Sequence, residues 1–171
     1  MSERLFKLMV SKVDDIVTVE WKMDWSEVHL VSSGAAWADH SAVSLFLLNP
    51  NSKLTLHFPC RFLLEQSRIE DNGSSDWRKN PGRTANQYHE RFSRALNLDS
   101  MAQISEAIKA GAVVATEAGG FHARNSKIAQ QTKRLIAFTW STGKTPEKSG
   151  WDAGYLEQMQ RTTSSYWSTF Y

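Results

Sequence analysis

Two stretches of this chain set cations against aromatic rings, the combination that holds nucleic-acid phosphates while bases stack alongside. The first is Trp77-Arg78-Lys79-Asn80, with Arg83 close behind it. The second is Phe121-His122-Ala123-Arg124, followed by Lys127 and then Arg134. No Asp or Glu occurs between Glu117 and Glu147, whereas Arg124, Lys127, Lys133, Arg134 and Lys144 all fall in that interval. Cations without acidic neighbours in sequence must face solvent, reach distant carboxylates or meet an external polyanion. The candidate nucleic-acid-binding residues are therefore Trp77, Arg78, Lys79, Arg83, Phe121, His122, Arg124, Lys127 and Arg134. The Gly119-Gly120 pair adds backbone N–H groups at a helix start, which favour an anion.

Other chemistry has weaker signatures. The five histidines are His29, His40, His57, His89 and His122, and none forms an H-x-x-x-H or H-E-x-x-H pair on one helical face. His57 and Cys60 stand three apart with Pro59 between them and no second pair to complete a site, so no metal is expected. Cys60 lies among Phe58, Phe62 and Leu63 and reads as a small buried hydrophobe. No G-x-S-x-G elbow surrounds any serine. Gly143-Lys144-Thr145 lacks the upstream glycine of a phosphate loop, and Gly119-Gly120 lacks G-x-G-x-x-G spacing, so no cofactor is expected. A small enzyme would need His89, Glu90 and His122 to converge.

Composition sets the class. The 171 residues are 41% hydrophobic and 22% charged, values of a folded single domain. One cysteine excludes an internal disulfide and fits a reducing compartment. The amino terminus has no apolar segment with a cleavage site, and no run of about 18 apolar residues exists, so a cytoplasmic protein off the membrane is expected. Net charge is +2. Residues 1–66 carry 8 acidic and 6 basic side chains, and residues 67–171 carry 10 acidic and 14 basic, so the excess positive charge sits in the second part.

The elements that must position these residues follow from periodicity. Residues 5–13, 16–23 and 27–32 are short and rich in Val, Ile and Trp, and predict three strands in a meander. Residues 35–48 fit a helix or a buried strand. Lys53–Phe58 alternates as a strand with Leu54, Leu56 and Phe58 on one face, and residues 61–69 continue as a strand or short helix. Residues 70–83, with Asn72-Gly73 and Pro81-Gly82, form a loop. Thr84 with Gln87, and Ser100 with Gln103, open helices at capping-box spacing, the second stopped by Gly111. Residues 112–116 suit a short strand. Residues 125–140 predict a helix that buries Ile128, Thr132, Leu135, Ile136 and Thr139 and turns Arg124, Lys127 and Arg134 outward. A last helix is predicted over 151–166.

Together these give an α+β domain over residues 1–171. A mainly antiparallel sheet from the N-terminal half (β-rich 1–69) packs against helices from the C-terminal half (84–171). The expected function is non-enzymatic binding of single-stranded DNA or RNA with little sequence readout, as a self-assembling, mobile-element or viral accessory protein. The alternative is a protein-interaction or assembly subunit that forms a homo-oligomer through Tyr166, Trp167, Phe170 and Tyr171. A small enzyme is the third reading.

Overall fold

A computed structural model describes residues 2–116, 120–140 and 164–170. Two compact units divide the chain, Met1–Ile128 and Ala129–Tyr171. The first opens with helix α1, Glu3–Asp15, whose N-cap Ser2 accepts a hydrogen bond from the Leu5 N–H at 3.3 Å. Phe6, Met9, Val13, Ile16 and Val17 are its buried residues and those of the wide helical turn Ile16–Glu20 that continues it. That i, i+3, i+4 spacing is helical, and it overrides the local β propensity from which strands were predicted at 5–13 and 16–23. Val19, which a strand would set on the same face as buried Val17, is 66% exposed.

The main sheet is built from β1 (His29–Ser32), β2 (Lys53–Phe58) and β5 (Val113–Thr116) in the order β1-β2-β5. All its pairings are parallel, with Leu30 opposite Leu54 and Leu56 opposite Val114. This corrects the expected antiparallel meander. The only antiparallel pair among the described residues is the short one between β3 (Phe62–Leu63) and β4 (Arg68–Ile69). The α+β class stands; the sheet's direction does not. The reason lies in β2. Its alternation of Leu54, Leu56 and Phe58 with Thr55 and His57 suggested one face in water, yet Leu54 through Phe58 are all buried. Thr55 tolerates this because its Oγ1 lies 2.8 Å from His29 Nε2 on the neighbouring strand. A strand buried on both faces is the mark of a parallel sheet covered by helices.

Helix α2, His40–Leu48, forms the crossover between β1 and β2 and settles the ambiguous 35–48 segment as helix. Helices α3 (Pro81–Leu96) and α4 (Ser100–Lys109) lie between β4 and β5. The first starts three residues before its predicted capping box, because Asn80 caps it through Arg83 N–H at 3.3 Å and Pro81 takes the first turn. In α4 the cap is Asp99, accepting from Met101 and Ala102 N–H. Gly111 ends that helix in a left-handed conformation at φ 107°. The core packs Val43 and Phe46 of α2, Leu56 and Phe58 of β2, and Ile104 and Ala107 of α4.

Gly82, in the first turn of α3, has no room for a side chain. A Cβ there would lie 1.9 Å from the Glu70 carbonyl oxygen and 2.9 Å from Cys60 Sγ. Glu70 is itself tied to Arg61 O through its N–H at 2.8 Å, so the carbonyl cannot simply retreat. Gly82→Ala is expected to lower stability by about 1–3 kcal/mol. An unaltered urea midpoint would show that the base of loop 70–80 yields freely.

Helix α5, Gly120–Gln131, follows β5 and crosses into the second unit. It ends nine residues short of the predicted helix. Residues Arg134–Trp140 instead form strand β6, paired in parallel with β7, Ser164–Phe170. Leu135 and Ile136 are thus strand residues, half-buried. The predicted last helix falls mostly on residues 151–163, outside those described, and its end is strand. Tyr166, Trp167 and Phe170 stand opposite Ile136, Ala137 and Trp140 in the β6–β7 register, and Tyr171 lies outside the described residues.

Candidate nucleic-acid interface

Loop 70–80 is held by its own short polar side chains. Asp71, Asn72 and Asp76 each accept a hydrogen bond from the N–H two residues on, at 2.8, 3.0 and 3.0 Å. Asn80 is buried at the centre. Its Nδ2 donates to Asp71 Oδ1 at 2.6 Å and to the Ser74 carbonyl at 2.8 Å, while its Oδ1 caps α3. Arg83 Nε donates to Asp71 Oδ2 at 3.1 Å. The Asn80 amide first, then the Gly73 N–H and Arg83, hold the Asp71 carboxyl down at about 2. Arg83 is therefore a buttress of this loop, a role its cationic neighbours in sequence did not suggest.

The knot presents Trp77, 44% exposed. Its indole stacks with the Phe121 ring of α5, centroids 6.4 Å apart and planes 28° apart. The Arg78 guanidinium lies 4.8 Å from the Trp77 ring centre, and that of Arg124 lies 5.1 Å from the Phe121 ring centre. Two stretches about 44 residues apart in sequence thus meet as one alternation of cations and rings. Arg124 is buried, and its Nε and Nη2 both donate to Asn125 Oδ1, at 3.2 and 3.1 Å. Lys79 and Lys127 are exposed. Arg134 is an exposed residue of β6 in the second unit. His122 sits in the first turn of α5, and its side chain lies outside the described residues.

Phe121 also locates this stack in the fold. It begins the helix that leaves the carboxyl end of β5, and in parallel sheets the carboxyl ends of the strands are where ligands bind.

No family model matches the chain, and no solved structure matches it. A 140-residue alignment at 30% identity joins it to uncharacterized protein R261 of Acanthamoeba polyphaga mimivirus, covering 82% of this chain and 72% of the viral protein. The chain belongs to that protein's family.

Of the residues named for an enzymatic site in this family member, His89 and Glu90 are occupied otherwise, and the His122 side chain lies outside the described residues. His89 is 1% exposed; its Nδ1 lies 3.0 Å from Ser100 Oγ and its Nε2 lies 3.0 Å from the Gly34 carbonyl, to which it donates. Burial holds His89 down at about 4. Its neighbour Glu90 faces solvent in an ion pair with Arg94 on the next turn. The buried His89 and exposed Glu90 therefore do not share a pocket. Burial also pushes the Cys60 thiol up to about 11, with the Glu70 charge adding to it, which leaves it a poor nucleophile. Among the described residues no three His, Cys, Asp or Glu side chains are grouped to hold a metal ion, and no helix is long and apolar enough to cross a membrane.

Sequence reasoning missed the pair His40 and His89. Their rings are 6.0 Å apart and both are buried, His40 bonding Gln103 Oε1 through Nε2 at 2.7 Å. The signal available was their position: His89 lies four residues after Ala85 and three before Phe92, on the inward stripe of α3.

Proposed function

We propose that this protein binds nucleic acid, with little sequence readout, as a cytoplasmic accessory protein of a virus or mobile element. The observation that carries the reading is the meeting of Trp77-Arg78 with Phe121-Arg124 at the carboxyl edge of a parallel sheet. Exposed Lys79 and Lys127, with Arg78, supply phosphate contacts beside it. Arg124 serves the site by seating Phe121, since its own guanidinium is buried against that ring and Asn125.

The test is a salt titration with a fluorescent 12-nucleotide single strand. Each cation removed from a phosphate lowers the slope of log affinity against log salt by roughly 0.7, so replacing Arg78, Lys79 and Lys127 together by Ala should flatten it by about two units. A slope that stays the same while affinity holds would place the phosphate contacts elsewhere. Absence of any salt-sensitive binding by the wild type would end the reading.

A second reading has its own support in the parallel sheet, whose carboxyl ends are set by Ser32 opposite Leu56 and Thr116 opposite Phe58. A free nucleotide could occupy that edge. Mononucleotide that competes at the same concentration of phosphate groups as the oligonucleotide would favour it.

A further inference from the structure

We infer that the Trp77 indole is the seat of one unpaired base, so that the nucleic-acid ligand must be single-stranded where it crosses this site. The inference rests on the nucleic-acid reading and adds what part of the ligand is held. The Trp77 and Phe121 ring centroids are 6.4 Å apart and their planes are tilted by 28°, too wide a separation for the two faces to lie over one another. The indole therefore meets Phe121 with little overlap and keeps much of its surface in solvent, as its 44% exposure shows. A planar base laid there extends a stack that already exists.

Two further features fit a base better than a chance exposed tryptophan. The Arg78 guanidinium lies over the indole, 4.8 Å from its centre, so a base would use the indole surface that Arg78 leaves uncovered, with the cation beside it for the phosphate that follows. The loop that carries Trp77 is also pinned in advance through buried Asn80 and the Asp71–Arg83 pair, so little backbone ordering cost remains when a base arrives. A paired base offers its faces only to its neighbours in the helix, and a duplex would have to be opened to reach this ring.

The experiment compares a 12-nucleotide strand with the same strand built from abasic residues, which keeps every phosphate and removes every base. Full-length wild type should bind the base-bearing strand about tenfold more tightly, the effect of one stacked base. In Trp77→Ala that ratio should fall to near one while the abasic strand binds as before, and Trp77→Phe should restore part of it. Equal binding of the two strands by wild type overturns the base seat and leaves the phosphate reading standing. A ratio unchanged in Trp77→Ala overturns it too, by placing the stacking at another ring. Binding of neither strand ends both readings together. Should Trp77→Ala fail to fold, the wild-type comparison and Trp77→Phe still decide.

Discussion

Between pH 7.5 and pH 4.5 the protein should lose a large share of its folding free energy. His40 and His89 are buried side by side and each is held down to about 4, mainly by desolvation, against an ordinary value of 6.5. The fold therefore favours the neutral imidazoles, and the unfolded chain binds their protons more readily. Their contribution is fully present above pH 6.5 and is lost as pH falls from 6.5 towards 4. At pH 4.5 each histidine accounts for about 2–3 kcal/mol of lost stability, and small domains hold only about 5–15 kcal/mol in all. His40 and His89 repel once charged, so the second proton is harder to add than the first. Among the described residues His40 Nδ1 has no hydrogen-bond partner, and charging it would add a donor that none of them accepts. Asp71, held at about 2 against 3.8, weakens the fold only below this window. Urea midpoints at pH 7.5, 6.0 and 4.5 measure the effect, and the double variant His40→Gln, His89→Gln should flatten the trend whatever its stability at neutral pH. A wild-type midpoint that does not move between pH 7.5 and 4.5 would refute the account.

Phe92→Ala should be among the most damaging single substitutions, costing about 3–5 kcal/mol. Phe92 is fully buried where α3 meets α1 and the segment before α2. Three rings meet it edge-on: Trp37 at 4.9 Å, His40 at 5.0 Å and Phe6 at 5.1 Å between centroids. Alanine would leave a void walled by those rings. Two of its neighbours are constrained from moving in. Trp37 is held at φ 69°, an unusual conformation for a bulky residue, and His40 is anchored to Gln103. The variant should also bring acid unfolding to a higher pH, since a smaller total stability is exhausted sooner by the two histidines. Chemical denaturation at pH 7.5 reads the loss directly, and a change below about 1 kcal/mol would mean that the cavity collapses and the ring cluster is loosely packed.

Much of α3 and α4 was legible in sequence because caps and period are local. Gly111 and the turns of loop 70–80 act within a few residues of themselves, whereas the caps lie at Asn80 and Asp99 and not at the predicted Thr84 and Ser100. The inward face of α3 was legible only in part. Helical period puts Tyr88, Phe92, Ala95 and Leu96 on one face; Phe92 and Leu96 are buried there, whereas Tyr88 is 51% exposed, Ala95 is exposed and the buried member is His89. Polarity alone argued for His89 outside. What buries it is a pair of partners, Ser100 and Gly34, that come from other elements.

The sequence by itself determined where the cations and rings lie along the chain, which segments turn, and the mixture of helix and strand. It also held the relationship to the mimivirus protein. Strand direction was beyond it. Leu54-Thr55-Leu56-His57-Phe58 alternates identically in a half-wet antiparallel sheet and in this parallel one, and only the cover on the second face distinguishes them. The tertiary structure likewise decided the fate of each cation. Arg83 turned to Asp71, Arg124 was buried against Phe121, and Arg78 came to rest on Trp77. A cation's partner is chosen by distance in space, over a few ångströms, and the folded chain sets those distances between residues that sequence keeps far apart.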